Sequence, residues 1–281
     1  MEEIDEKARQ QEIQRKRADK REANERKAPS GKVLYRTTFQ EGEEELRRPT
    51  ASLFFSGLAA GLSMGLSMIA QGLLTHYLPD AEWQPLVATF GYSMGFLVVI
   101  LARQQLFTEN TLTPIIPLLV RMDMVTLRNV LRLWAVVLTS NLLGALLLSL
   151  VAMRTTAFSP EVQEVFLHMG QKVMQFDFGT TLLRGIFAGW IIALMVWLLP
   201  FAESARVWVI ILMTYLVGLA HFSHIIAGSV EAFSVAVVGA ASWGQVLGGF
   251  VVPALLGNII GGVTLVAVLN HAQVMAGKDE G

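Results

Sequence analysis

The sequence predicts an all-α polytopic membrane protein: six transmembrane helices in two inverted three-helix repeats, with spans 2 and 5 broken. Three observations predict it. Charge is concentrated at one end, since residues 1–48 hold 13 of the 22 Lys+Arg and 12 of the 23 Asp+Glu. The rest of a chain that is 53% apolar reads as successive apolar runs of membrane-spanning length. The two halves of that apolar region also echo each other in order.

The elements follow along the chain. Residues 1–48 form a charged N-terminal tail and linker, expected on the cytoplasmic side. Their first 28 residues favour helix without an apolar stripe, which predicts a solvated, partly helical or disordered segment. Residues 29–49, punctuated by Pro29, Gly31, Gly42 and Pro49, read as a linker. A transmembrane domain is expected over 49–270, with spans at 51–75, 86–119, 129–153, 180–199, 207–238 and 247–269. A short cytoplasmic C-terminal tail, 271–281, follows. The tail's basic residues, then Arg121, Arg128 and Arg132, then Arg206, fall on alternate loops. That excess on one side is expected to place both termini in the cytoplasm. Trp83, Trp208 and Trp243 lie near span ends, as interfacial anchors do.

Spans 2 and 5 are too long for one straight crossing, and each has polar residues at its centre: "RQQLFTENT" at 103–111 and "GLAHFSH" at 218–224. A helix broken midway explains both. Its freed backbone groups are tolerated at membrane depth only in protein or against a wet cavity. The repeats cover about 51–153 and 180–269. "GLAAG" at 57–61 matches "GIFAG" at 185–189, and "SNLLGALLLSLV" at 140–151 matches "GNIIGGVTLVAV" at 257–268. Three spans per repeat force opposite orientations, the plan of many transport proteins. Gly57, Gly61 and Gly65, four apart, predict close helix packing.

The order of "LFTENT", "GLAHFSHIIAGS", "SNLLG" and "GNIIGG" resembles the formate/nitrite transporter family, in its divergent YfdC-type branch. The resemblance covers about residues 49–270. It implies an aquaporin-like inverted repeat, a homopentamer, and a separate pore in each protomer for small monovalent anions or their conjugate acids. It places His224 at the family's central pore histidine, Thr108 at the threonine of the second-span break, and Phe96 at one constriction. Lys172 lies near the family's vestibule lysine. The usual asparagine of span 4 is replaced by Gly189, with Trp190 beside it. The second constriction falls at Val217, with Phe222 as an alternative. Glu109 and an extra histidine, His221, also depart from the pattern.

The chemistry follows from desolvation. Drying a carboxylate-sized ion costs several kcal/mol even after relaxation, from a Born limit of order 20 kcal/mol. Helix N-termini with free N–H groups lower this cost. Thr108 and Ser223 are expected to cap the second halves of spans 2 and 5. Protonation lowers it further: a weak acid crosses as a neutral molecule if a group such as His224 supplies the proton or relays its field. In water that transfer runs uphill by roughly 2.5 pH units, a gap that excluding water narrows.

Intramembrane charge is expensive, so Arg103 with Glu109, and Arg184 with Glu231, are expected to form charge pairs. A carboxylate left unpaired in the lumen would favour a neutral or cationic solute. The competing readings are therefore a channel for a small neutral solute and a closed-pore scaffold whose tail binds a partner. With no cysteine, and without a third ligand for His221 and His224, no metal or cofactor is expected. No nucleophile–base pair suggests an enzyme, and no nucleic-acid partner is expected.

Overall fold

A computed structural model describes residues 14–16 and 31–276 of the chain. Most of the expected charged tail therefore lies outside the described residues. All regular structure among the described residues is helical. After a short turn at 14–16, the helices are α1 (Gly31–Arg47), α2 (Thr50–Tyr77), α3 (Gln84–Leu101), α4 (Ile115–Arg121), α5 (Met124–Arg154), α6 (Pro160–Met174), α7 (Phe178–Leu198), α8 (Arg206–Leu219), α9 (Ile225–Val237) and α10 (Trp243–Ala276). Five of them, with α7 extended to Phe201, are long and apolar enough to cross a bilayer. α9, at 13 residues, is a shorter apolar helix.

Two helix pairs form the frame: α2 packs on α5, and α7 packs on α10. Small residues bring the backbones together. A methyl group at Gly61 would stand 2.2 Å from the carbonyl oxygen of Asn141, and one at Gly189 would stand 2.3 Å from that of Asn258. The two crossings use corresponding positions of the repeated motifs, so the sequence echo is also an echo in packing.

α3 and α8 end in the same way. Arg103 and His221 both adopt left-handed backbone, each at φ 52°. Gln104 N–H donates to the Val99 carbonyl at 2.9 Å, and Phe222 N–H donates to the Val217 carbonyl at 3.0 Å. Both are Schellman closures. Glycine usually fills this position; a side chain there costs roughly 1–2 kcal/mol. Arg103 and His221 are both 118 positions apart and geometrically matched, so both halves carry this cost at the same point.

Beyond these ends the halves diverge. His224 starts α9 at once. The first half of the chain instead passes through a 3₁₀ turn, Glu109–Thr111, before α4 begins. Local side chains compete with helix there: Thr111 Oγ1 donates to the Thr108 carbonyl at 2.8 Å, and Asn110 Nδ2 to the Leu106 carbonyl at 3.2 Å.

Residues 31–47 are a docked helix where the sequence suggested a linker. Their buried face runs through Leu34, Tyr35, Thr38, Gly42 and Leu46, spaced as a helix requires. Glu43 bridges Arg47 at 3.2 Å and Arg121 at 2.5 Å. Arg132 Nη2 donates to the Leu46 carbonyl at 2.9 Å, and Tyr35 Oη lies 2.5 Å from His271 Nδ1. Gly42 reads as linker punctuation, but it is small because α1 presses against Thr113 and Pro117 there.

Candidate functional site

Two asparagines hold the interruptions. Asn141 Nδ2 donates to the carbonyls of Gly57 and Gln105 at 2.7 and 2.9 Å, and its Oδ1 accepts from Phe107 N–H at 2.9 Å. Asn258 Nδ2 donates to the carbonyls of Gly185 and Ser223 at 2.9 and 2.8 Å, and its Oδ1 accepts from Ile225 N–H at 2.9 Å. Each asparagine thus satisfies a carbonyl and an N–H two residues apart in one interruption, plus a carbonyl on the partner helix. Both are fully buried, where an unpaired backbone group costs free energy. Sequence reasoning quoted both motifs but did not assign the asparagines a role. The signal was their alignment with each other across the repeat.

The site proper forms where the two interruptions meet. His224 Nε2 lies 2.8 Å from Thr108 Oγ1. His224 Nδ1 accepts the Ala227 N–H at 3.1 Å, so the imidazole is itself the cap of α9. Ser223, expected as that cap, contributes its carbonyl to Asn258 instead. Thr108 makes no capping hydrogen bond, because its hydroxyl faces the histidine. With Nδ1 accepting, the neutral ring carries its proton on Nε2 and donates it to Thr108. The Phe96 ring meets the imidazole edge-on, with centroids 4.9 Å apart. His224 is 1% exposed and Phe96 and Thr108 are 0%. Three of the first four N–H groups of α9 are committed within the protein: Ile225 to Asn258, and Ala227 and Gly228 to His224.

Two cavities flank this contact. One, about 500 Å³, opens beside α6 and is lined by Lys172, Val217, His221, Phe222, His224 and Glu231, among others. The other, about 370 Å³, lies between α1 and the interruption after α3, and is lined by Glu41, Glu45, Arg103, Gln104, Glu109 and Arg206, among others. No residue lines both. Thr108 links them, bonded to His224 of the first and followed in the chain by Glu109 of the second. Phe222 stacks on Phe187 at 5.1 Å, while Val217 is fully buried.

Several expectations are corrected. Gly189 does not line either cavity. Its Cα faces the Asn258 backbone, and any side chain there would separate α7 from α10. Among the described residues, no ion pair joins Arg103 to Glu109 or Arg184 to Glu231. The Arg184 guanidinium donates to the His221 carbonyl at 3.1 Å and lies 3.8 Å from the centroid of the Phe176 ring. It thereby serves the exposed carbonyls at the end of α8, which a helix break leaves unpaired. Arg103 is exposed on the α1 side, and Glu109 Oε1 is buried without a hydrogen-bond partner.

On the α1 side, Glu45 accepts from Gln105 Nε2 at 2.8 Å and pairs with Arg48 at 3.3 Å. Burial pushes the carboxyls of Glu41 and Glu45 above the ordinary range, opposed by Arg103 and Arg206 at the first and Arg48 at the second.

The formate/nitrite transporter family model matches residues 32–272. The inner membrane protein YfdC of Escherichia coli (strain K12) is 38% identical over 262 residues, which cover 93% of this chain and 84% of the relative. Among solved structures, a pentameric formate channel with formate bound matches with a TM-score of 0.68 at 19% identity, covering 80% of this chain and 98% of that one. An ion channel of the same family matches with a TM-score of 0.72 at 16% identity, covering 84% and 97%. The chain is a multi-pass membrane protein belonging to the formate/nitrite transporter family.

Proposed function

We propose that this chain is a channel or transporter for small monovalent anions of the formate/nitrite kind, or their conjugate acids. The observation that carries the reading is the buried His224–Thr108 contact between two interrupted helices, with a cavity on either side. The formate-bound relative supports the substrate class and a homopentamer. The basic loops support an orientation with α1 and both termini cytoplasmic, in the inner membrane like its E. coli relative. In that orientation α3 with α4, and α8 with α9, each make one composite crossing, giving six in all.

The substrate enters the α6-side cavity past Lys172 and His221, and then reaches Thr108. His224 acts there as an electrostatic relay. Its Nε2–H donates to Thr108 Oγ1, which leaves the hydroxyl proton free to turn towards the solute. Phe96 excludes water from the step, so each hydrogen bond counts for more than it would in solution. The test is flux of formate, nitrite, lactate and chloride into proteoliposomes, with and without a pH gradient, for wild type and His224→Asn. Loss of a hydrogen bond worth ~1 kcal/mol predicts about fivefold slower flux in the variant. Equal flux in both proteins discards the histidine's role, and no flux in wild type discards the reading.

A second reading, passage of a small neutral solute, is favoured by one observation. The Glu109 carboxyl lines the α1-side cavity with Oε1 unpartnered, and an ionised carboxylate there repels anions. Permeation of an uncharged solute by a wild type that passes none of the four anions would select it.

A further inference from the structure

α9 turns one face to the α6-side cavity. His224, Gly228 and Glu231 stand four and then three residues apart and all line it. Glu231 is the member of that face with no structural task. Its residue is 7% exposed, and it has no hydrogen-bond or ion-pair partner among the described residues. An ionisable carboxyl without a partner on an apolar helix inside a membrane is costly and marks function. Packing does not account for it, since the approach of α6 at Gly170 is made to the Glu231 backbone, not to its side chain.

His224 is poorly placed to supply a proton. Its Nε2 is engaged by Thr108, and its Nδ1 already accepts from the Ala227 N–H. A second ring proton, on Nδ1, would set donor against donor.

We propose that Glu231 protonates the substrate in the α6-side cavity before it reaches His224, so that the site takes a weak-acid anion, a small carboxylate above all, and passes on the neutral acid. This rests on the transport reading above. In the step, the O–H bond of the Glu231 carboxyl breaks and an O–H bond forms on the substrate carboxylate. The carboxylate left on Glu231 then takes a proton from hydronium in the cavity, releasing water. One proton therefore travels with each anion. In water the glutamic side chain and a small carboxylic acid are matched in acidity to within about half a unit, whereas imidazolium holds its proton some two units more tightly. At about 1.5 Å per residue, Glu231 lies roughly 10 Å along α9 from His224, which leaves room for the exchange outside the constriction.

Other titratable groups face the same cavity: Glu161, Glu164, His168 and Lys172 from α6, Tyr92 from α3, and His221 at the end of α8. Arg154 is committed to the Val237 carbonyl at the far end of α9. A pH response alone is therefore not diagnostic, and the variants must separate Glu231 from these groups.

The experiment uses the full chain in proteoliposomes with a pH dye inside. Formate uptake and lumenal acidification are measured for wild type, Glu231→Gln and Glu231→Asp. An outside medium one pH unit more acidic is expected to raise wild-type uptake by up to about tenfold, with acidification in step. Glu231→Gln keeps every other titratable group, and it is expected to lose both the gradient response and the acidification. Glu231→Asp retains the carboxyl and is expected to keep both at a lower rate with a shifted pH midpoint. A Gln variant that responds as wild type does overturns the proposal. Should the Gln variant fail to assemble, the Asp variant decides: an unchanged midpoint overturns the proposal and a shifted one upholds it. If wild type passes no anion at all, the transport reading falls and this step falls with it.

Discussion

Replacing Asn258 with alanine should destabilise the domain well beyond an ordinary polar-to-alanine change. The side chain makes three hydrogen bonds of 2.8–2.9 Å, to the carbonyls of Gly185 and Ser223 and from the Ile225 N–H. It is fully buried, so no water can substitute without rearrangement. Bonds inside membrane proteins average ~0.6 kcal/mol and reach ~1.7 kcal/mol, so three of them give a loss of about 2–5 kcal/mol. The upper part of that range is expected, because two of the three partners belong to an interrupted helix and have no alternative mate. The assay is detergent-titrated unfolding in mixed micelles at fixed protein concentration, followed by helix content. Asn141→Ala provides the internal comparison, since it removes the corresponding three bonds from the other half. A loss below about 1 kcal/mol in either variant would refute the claim that the asparagines hold the interruptions.

The close helix crossings make a related prediction. Gly189→Ala and Gly61→Ala each place a methyl group against backbone, not against a movable side chain, so each should cost about 1–3 kcal/mol in the same assay despite alanine's better helix propensity. A neutral Gly189→Ala would restore that position as a candidate for the lumen. At α1, burial raises the Glu41 and Glu45 carboxyls. The docked helix then binds more protons than the released one between the ordinary glutamate value and the raised value. Docking should therefore weaken as pH rises through that window and tighten as it falls. Hydrogen exchange over residues 31–47 should slow as pH falls towards the ordinary glutamate value, after correction for intrinsic rates, and Glu41→Gln with Glu45→Gln should flatten the trend. An unchanged trend in the double variant would contradict the assignment.

Much of the architecture was legible because membrane burial writes itself in composition. Apolar runs of spanning length, basic residues on alternate loops and the echo of 57–61 in 185–189 are coarse signals that pointed to the helical fold, and the order of "LFTENT", "GLAHFSHIIAGS", "SNLLG" and "GNIIGG" pointed to the family. What was not legible depended on which neighbour a residue meets. Gly189 sits one residue from Trp190 in a pore-like context, yet its Cα meets the Asn258 backbone. Arg184 and Glu231 looked like opposite charges needing each other, but a guanidinium can serve carbonyls and an aromatic face instead. α1 was hidden by its own glycine and flanking prolines, whose meaning changes once Pro117 and Thr113 are known to press on Gly42.

The site itself explains why symmetry was a good guide to the frame and a poor one to the chemistry. At the matched offset of 118, Arg103 corresponds to His221, Gln105 to Ser223 and Phe107 to Ile225, and each pair does the same backbone task. His224 then corresponds to Leu106, and Thr108 to Ile226. The imidazole and the hydroxyl that meet at 2.8 Å are therefore not symmetry mates. Each half keeps an apolar residue where the other carries the polar group. Two asparagines build the same cradle twice, and one polar substitution in each half furnishes it. Exchanging the roles, with Leu106→His and Ile226→Thr in a His224→Leu, Thr108→Ile background, would rebuild the contact from the opposite halves. The rebuilt histidine would lack α9's regular first turn beneath it, because the matching segment is a 3₁₀ turn. The contact therefore needs the Ala227 N–H that fixes the ring as well as the Thr108 hydroxyl. The swapped protein should fold yet transport no better than His224→Asn, and wild-type flux from it would show that the cap is dispensable.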